Sequence, residues 1–217
     1  LGSALEIYYQ ANTGESVELW PDQSANANNA EQTTEGNQPT VVAGGGLDFE
    51  DTDNSDTASM MDFTEFTVGA NTDFLTFIVM KTESNGPNAY LSDGASEVFQ
   101  QTNINVMQFK TPASTNSMNH NASFTMTTGE KALFMTHRTN GSTGTIKLYR
   151  NGLEHDPSVT DATTFDLENL GSKNDASNWF DGIIYDVGVI NGARATVQIR
   201  NLITDYLCSK HGIQKLA

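Results

Sequence analysis

The sequence has little cysteine, little positive charge and no long apolar run. Cys208 is the only cysteine among 217 residues, so an intrachain disulfide is excluded. Eleven lysine and arginine residues stand against 27 aspartate and glutamate residues, a formal net charge of -16. Because such a surface repels phosphates, we expect no nucleic-acid partner. No run of about 18 apolar residues occurs, so no membrane insertion is predicted.

The usual signatures of catalytic sites are also missing. None of the four histidines forms an i, i+4 metal-binding pair: His120, His137, His155 and His211. There is no GxSxG elbow and no Walker loop. Retaining glucanases need two carboxylates about 5–5.5 Å apart on one sheet face. The nearest strand carboxylates, Asp181 and Asp186, are predicted to lie on opposite faces, so we predict that the protein is not an enzyme.

What the sequence does contain indicates strands and turns. Hydrophobic residues make up 37% and charged residues 18%, and the remainder is rich in Asn, Thr, Ser, Gln and Gly, which is typical of a turn-rich β protein. Roughly a dozen short strands are predicted, with turn signals every 8–12 residues or so. No helical crossovers join them, so the sheets are expected to be antiparallel.

Two segments are predicted to be inner strands. Phe74 to Lys81 reads FLTFIVMK, with β-branched and aromatic residues on both faces. Strict alternation from Ile183 places Tyr185, Val187 and Val189 on one apolar face. The same alternation places Asp186 on the other face.

After this predicted strand, the spacing of the apolar residues changes to the period of an α-helix. Gly212 follows the periodic segment as a stop signal. The predicted buried stripe of this helix contains Ile199, Leu202, Ile203, Tyr206 and Leu207.

The order of several short motifs resembles a known family. They are WPDQSANANNAEQ, QPTVVAGGGLDFED, FLTFIVMK, IKLYRNG, FDGIIYDVGVI and YLCSKHGI. In this order they resemble the laminin-G-like branch of the concanavalin A-like jelly rolls, in the version common in phage virion proteins and secreted bacterial proteins. Ala25 stands where the family usually has glycine, and Asp186 where it usually has glutamate. The resemblance implies an all-β, two-sheet antiparallel jelly-roll sandwich over residues 1–217, a single domain with one C-terminal helix.

This resemblance leaves two functions open, because the fold carries many. The first is a non-catalytic virion structural module, a phage capsid decoration, tail or fibre component that could contact glycans. Its partners would be other virion proteins or cell-surface glycans, with a homo-oligomer also open. The alternative is a carbohydrate-binding module of a secreted bacterial adhesin or polysaccharide-active enzyme, located outside the cell. Leu1 is not methionine, which indicates a trimmed or processed chain, or a piece of a longer one.

An acidic loop is the candidate metal site. Asp51, Asp53 and Asp56 lie close together in the sequence, and calcium prefers several oxygen ligands. The EF-hand pattern fails, because Asp56 occupies the position of its glycine and Asp62 that of its final glutamate. The loop is therefore either a calcium site or a solvated acidic segment, and no cofactor other than calcium is predicted.

The first motif offers a second candidate site. Trp20 could be an exposed platform for a sugar, but we favour a structural role, with Trp20 in the core and Asp22 and Ser24 capping turn amides.

Loops at the rim of the sandwich are the expected contact surfaces, at 36–39, 111–121 and 156–178. Met107, Phe109 and Met118 are candidate anchors of an assembly contact, although residues of this type more commonly pack in a core.

Overall fold

The computed structural model describes residues 14–24, 26–50, 59–86, 88–93, 98–103, 106–111, 114–119, 127–139, 144–172 and 179–216. Within these ranges the strands form two antiparallel sheets, and one α-helix lies near the C-terminus. The predicted all-β sandwich with one C-terminal helix is therefore confirmed. None of the described helices has the length and apolar character needed to cross a bilayer.

Fifteen strands and three helical segments follow one another along the described part of the chain. The strands are β1 (Leu19–Trp20), β2 (Ala30–Glu31), β3 (Thr40–Val41), β4 (Leu47–Phe49), β5 (Met61–Val68), β6 (Phe74–Thr82), β7 (Asn88–Ser92), β8 (Val98–Asn103), β9 (Val106–Thr111), β10 (Ser114–Asn119), β11 (Lys131–Thr139), β12 (Thr145–Arg150), β13 (Leu153–Thr160), β14 (Phe165–Leu170) and β15 (Gly182–Asn191). The helices are two 3-10 turns, Glu35–Asn37 and Gly192–Arg194, and α1 (Val197–His211).

The strands divide into two sheets. Sheet A has eight strands in the order β1-β2-β5-β14-β7-β8-β9-β10. Sheet B has seven strands in the order β13-β12-β11-β6-β15-β4-β3. Two segments predicted to be rim loops contain strands of this framework, β10 within 111–121 and β14 within 156–178.

The main core fills the space between the sheets. Alternate residues of each strand point inward, as the burial of every second residue in β9 shows. Phe74 of sheet B meets Phe109 and Phe165 of sheet A, with ring centroids 5.3 and 4.8 Å away. The first pair is stacked and the second is edge-to-face, and such contacts add to the stabilisation from burial of apolar area.

A second core lies on the opposite face of sheet B. Leu75, Phe77 and Val79 of β6 point to this side and are buried under α1, while Ile78 and Met80 point into the main core. Sheet B is therefore covered on both faces, by sheet A and by the helix. This explains why FLTFIVMK is apolar at nearly every position.

The helix α1 has clear boundary signals. The side chain of Thr196 accepts a hydrogen bond from the backbone N–H of Ile199 at 3.2 Å, which caps the first turn. Gly212 adopts φ +64°, the left-handed conformation that ends many helices. The predicted stop at Gly212 is therefore confirmed.

The buried face of α1 differs from the predicted stripe. Leu202 is 57% exposed and Tyr206 is 53% exposed, so two of the five predicted residues are wrong. The buried positions of α1 are Thr204, Leu207 and Cys208, so the prediction is confirmed at Leu207, and Thr204 and Cys208 lie outside the predicted stripe. The turn between β12 and β13 packs closely on this face, because a Cβ added at Gly152 would lie 3.0 Å from Thr204 Cγ2.

A β-bulge changes the faces of β15. Ile184 pairs with Met80 and Asp186 with Val79, so Tyr185 is an extra residue. Before this bulge the predicted alternation is correct. After it Val187 points into the main core and Asp186 points toward the helix.

This bulge gives Asp186 partners on α1. The carboxylate is 2% exposed, and it accepts hydrogen bonds from Lys210 Nζ at 2.8 Å and from His211 Nε2. A buried carboxylate is costly without such partners. The bulge and the last turn of α1 are thus fixed to each other.

Arg138 forms hydrogen bonds to two connections that run between the sheets. Its side chain is fully buried. The guanidinium donates to the carbonyl oxygens of Thr72 at 2.8 Å, Thr163 at 2.7 Å and Gly69 at 2.8 Å. It also lies 5.0 Å from the ring centroid of Phe74. The β5–β6 and β13–β14 connections therefore share one cationic donor.

Candidate functional site

A polar cleft lies between the β1–β2 connection and the middle of β5. It consists of two neighbouring cavities, of about 270 and 370 Å³. Ala27 and Thr64 line both. The smaller cavity is also lined by Asp22, Ser24, Asn26, Asn28 and Phe66. The larger is also lined by Asn29, Glu31, Gln32, Thr33, Asp62 and Phe63.

The first wall of the cleft is a connection held by its own side chains. The Asp22 carboxylate accepts hydrogen bonds from the N–H of Ser24 at 2.7 Å, the Ser24 hydroxyl at 2.6 Å and the N–H of Asn28 at 2.9 Å. Trp20 is 1% exposed and belongs to the core. The structural role expected of Trp20, Asp22 and Ser24 is therefore observed, and Trp20 offers no sugar platform.

The second wall is a bulged part of β5. Phe66 pairs with Leu167 and Asp62 pairs with Asn169, so three residues of β5 lie opposite a single residue of β14. Phe63, the first of these three residues, and Phe66, which follows them, are both partly buried against the core.

Between those two aromatic residues, Thr64 is exposed at the cleft. Asn28 joins the two walls by donating from Nδ2 to the carbonyl oxygen of Thr64 at 2.8 Å. Its other polar atom, Oδ1, is buried without a hydrogen-bond partner among the described residues. Ala27 has φ +51°, a left-handed conformation that is costly for alanine. The cleft therefore forms where the β1–β2 connection contacts the bulged part of β5.

The lining suits a ligand that carries many hydroxyl groups. Asparagine amides both donate and accept, hydroxyls do the same, and carboxylates accept. Phe66 adds a partly exposed apolar surface on which the carbon face of a ring can lie. Histidine, cysteine, lysine and arginine do not line either cavity as far as the chain is described.

A carboxylate cluster lies beside the cleft on sheet A. Asp166 and Glu168 lie on one face of β14, because Phe165 and Leu167 between and before them point into the core. Burial raises the pKa of Glu168, and the charges of Glu65 and other nearby carboxylates raise it further. Neither Asp166 nor Glu168 lines the two cavities.

The cluster corrects one expectation from the sequence. Asp181 and Asp186 are not the nearest strand carboxylates, because Asp166 and Glu168 are closer in sequence and share a face. The sequence predicts mostly loop over 156–178, with a short extended piece near residues 165–167, and this piece is too short to place Glu168 on a strand. Asp181 itself lies just before β15.

The predicted calcium loop lies outside the described residues, since Asp51, Asp53 and Asp56 all fall within 51–58. In the described part of the chain, no group of three or more His, Cys, Asp or Glu side chains is placed to hold a metal ion. The calcium site therefore stays a prediction.

The proposed assembly anchors belong to the core where they are described. Met107 is fully buried and Phe109 is 2% exposed, so neither reaches a partner and that prediction is wrong. Their alternation on β9 places both between the sheets. Met118 lies on β10, and its side chain is outside the described part.

Sequence comparisons and structural comparisons give different results. No family model and no curated protein matches the chain. Among solved structures, the botulinum neurotoxin serotype D binding domain superposes with a TM-score of 0.57 at 14% identity, over 95% of this chain and 51% of that chain. The serotype G binding domain gives 0.61 at 8% identity, over 94% and 51%.

A third similar structure is the Trypanosoma rangeli sialidase in complex with sialic acid, with a TM-score of 0.53 at 11% identity, over 95% of this chain and 33% of that chain. The chain thus spans about half the length of the neurotoxin binding domains that it matches. At these identities the likeness shows a shared fold.

Proposed function

We propose that this chain is a non-catalytic recognition module that binds a glycan in the cleft between the β1–β2 connection and β5. The observation that carries the proposal is the lining of that cleft. Amides, hydroxyls and carboxylates surround the partly exposed ring of Phe66. Sites of this kind orient a ligand with a few polar groups around an apolar contact.

The structural neighbours add support of a general kind. One similar structure is a sialidase in complex with sialic acid, and another is a botulinum neurotoxin DC binding domain in complex with SialylT. These ligands belong to those proteins. They make glycan recognition a reasonable first hypothesis for a chain with the same fold and a polar cleft.

The biological setting that we propose is the surface of a phage particle, as a capsid decoration, tail or fibre component of laminin-G-like type. A carbohydrate-binding module of a secreted bacterial protein is the alternative. The support is the motif order along the chain. Proteomic analysis of purified particles separates the two settings, because absence from particles combined with micromolar glycan binding favours the secreted module.

Binding is tested with a glycan array followed by calorimetry. Thr64→Arg places a long side chain where both cavities meet, and we expect it to weaken binding at least about tenfold, or about 1.4 kcal/mol. Asn26→Ala removes one polar group of the smaller cavity and is expected to have a weaker effect. Leu202→Ser, on the exposed face of α1 at the far side of the sandwich, is the matched control. Equal affinity of the parent and Thr64→Arg would place the ligand elsewhere.

The absence of catalysis is also a proposal and has its own assay. Polysaccharides are incubated with the chain, and the release of reducing ends is measured. We expect none, because Asp22 in the smaller cavity is engaged by hydrogen bonds from its own connection, and Asp62 in the larger cavity accepts a hydrogen bond from Asn169 Nδ2 at 2.6 Å. Release that disappears in Glu31→Gln or in Asp62→Asn would instead identify a hydrolase.

A further inference from the structure

We infer that the cleft selects uncharged, hydroxyl-rich glycans and rejects glycans that carry a carboxylate, such as sialylated ones. The inference rests on the proposed function and narrows its ligand class. Three side chains with formal negative charge line the two cavities, Asp22, Glu31 and Asp62. Lysine and arginine are absent from the described lining.

The strands around the cleft extend this negative surface. The strands of sheet A contain one basic residue, Lys110 on β9. Four strand spacings separate β9 from β5, roughly 19 Å at about 4.8 Å each. That distance exceeds the Debye length of about 8 Å at physiological salt, so Lys110 does not neutralise the cleft. The acidic residues on the strands of sheet A are Glu31, Asp62, Glu65, Asp166 and Glu168.

The other cations lie mainly on the opposite side of the molecule and are engaged there. Sheet B, α1 and the segments beside them carry most of the lysines and arginines. Five of these form ion pairs: Lys81 with Glu83, Lys147 with Glu154, Arg150 with Glu130, Lys210 with Asp186, and Lys215 with Asp205. Arg138 is buried on backbone carbonyls. Lys173 lies outside the described residues.

The raised pKa of Glu168 supports the same charge distribution. Burial is its largest cause, and four neighbouring carboxylates add to it, among them Asp62 at the cleft itself. A site with this potential disfavours a second negative charge. It favours sugar hydroxyls, because an ionised carboxylate accepts a stronger hydrogen bond than a neutral acceptor does.

The experiment compares uncharged and carboxylate-bearing probes by calorimetry. The uncharged probes are lactose, maltotriose, cellotriose and N-acetylchitotriose, and the charged ones are 3′-sialyllactose and trigalacturonate. Titrations are run in calcium and in chelator. We expect at least one uncharged probe to bind about tenfold more tightly than either charged probe, with a difference that narrows as salt is raised. A charged probe that binds as tightly as every uncharged one, in either buffer, overturns the inference.

Charge-removing variants separate selectivity from binding itself. Glu31→Gln with Asp62→Asn is expected to increase the affinity for a charged probe relative to an uncharged one by severalfold. Asp205→Asn, which removes a charge from the exposed part of α1, is the control and leaves the ratio unchanged. Thermal melting checks that each variant is folded. An unchanged ratio in the double variant contradicts the charge argument, whereas no binding of any probe to the parent contradicts the proposed function as well.

Discussion

Replacement of Arg138 tests whether one buried cation holds the two crossover connections. The side chain is fully buried, and three carbonyl oxygens from two connections receive its N–H groups at 2.7–2.8 Å. Arg138→Met keeps an apolar side chain of similar length, so it fills part of the space. It leaves the carbonyls of Gly69, Thr72 and Thr163 without their donor.

The expected loss follows from those three bonds. A hydrogen bond to a charged group contributes roughly 1.5–3 kcal/mol, and a buried carbonyl left unsatisfied costs about 1–3 kcal/mol. These two values are alternative estimates of the same loss and must not be summed. The contributions of neighbouring hydrogen bonds are also not additive. We therefore expect Arg138→Met to lower the free energy of unfolding by about 4–5 kcal/mol, a large part of the 5–15 kcal/mol typical of a domain. Arg138→Lys is expected to lose about half as much, because a single ammonium reaches fewer carbonyls.

Urea unfolding followed by tryptophan fluorescence measures the change, since Trp20 and Trp179 are both buried. Arg194→Met, at an exposed arginine, is the matched control and is expected to stay within about 0.5 kcal/mol of the parent. If Arg138→Met is too unstable to purify, Arg138→Lys gives the measurement. A loss below about 1 kcal/mol in both variants would refute the shared-donor account.

Three further changes test other parts of the structure. Burial is the largest cause that raises the pKa of Asp48 from 3.8 to about 6, and the charge of Glu50 is the next. The folded protein therefore holds this proton more tightly than the unfolded chain does. The stability that the bound proton contributes is lost as the pH rises through about 6. In urea titrations Asp48→Asn should therefore be more stable than the parent by about 1 kcal/mol at pH 7.5, discounted for partial exposure, and equal to it near pH 3. Leu207→Ala should lower the free energy of unfolding by about 2–5 kcal/mol, because Leu207 is buried, whereas Leu202→Ala should lower it by less than about 0.5 kcal/mol. Similar losses in the two variants would show that α1 packs on the sandwich through a different face. If calcium binds the acidic loop, the parent should melt higher in calcium than in chelator, and Asp51→Asn with Asp53→Asn should abolish that difference; identical parent curves would remove the calcium hypothesis.

Much of the fold was predictable because a strand that is buried on both faces must have apolar residues at nearly every position. FLTFIVMK is apolar on both faces, and the structure covers both faces of β6. The end of α1 was predictable for a similar reason, since Gly212 adopts the left-handed conformation that its position requires. In each case a local requirement restricts the residue type.

The errors arise where the chain departs from a regular period. Alternation along β15 fails at Tyr185, because a bulge inserts one residue without a signal in composition. The stripe of α1 fails at Leu202, because the buried face of the helix is formed by Thr204, Leu207 and Cys208, which also recur at helical spacing.

The candidate site was the least predictable part for the same reason. Its β5 wall reads MDFTEFTV, in which a bulge interrupts the alternation, so the apolar residues do not follow the period of a strand. Its other wall lies in the first motif, where Asp22 and Ser24 were recognised as turn-forming residues. The juxtaposition of the two walls depends on long-range pairing of β2 with β5, which a single sequence does not reveal.

The position of β15 in sheet B has a consequence for synthesis. This strand lies between β6 and β4, although 99 residues separate it from β6 in the chain. Until β15 leaves the ribosome, β6 and β4 both present unpaired edges, and such edges recruit other chains. The nascent chain therefore cannot reach its native sheet step by step from its N-terminus. Binding by a chaperone during this interval, and slow, concentration-sensitive refolding after dilution from denaturant, are the expected results.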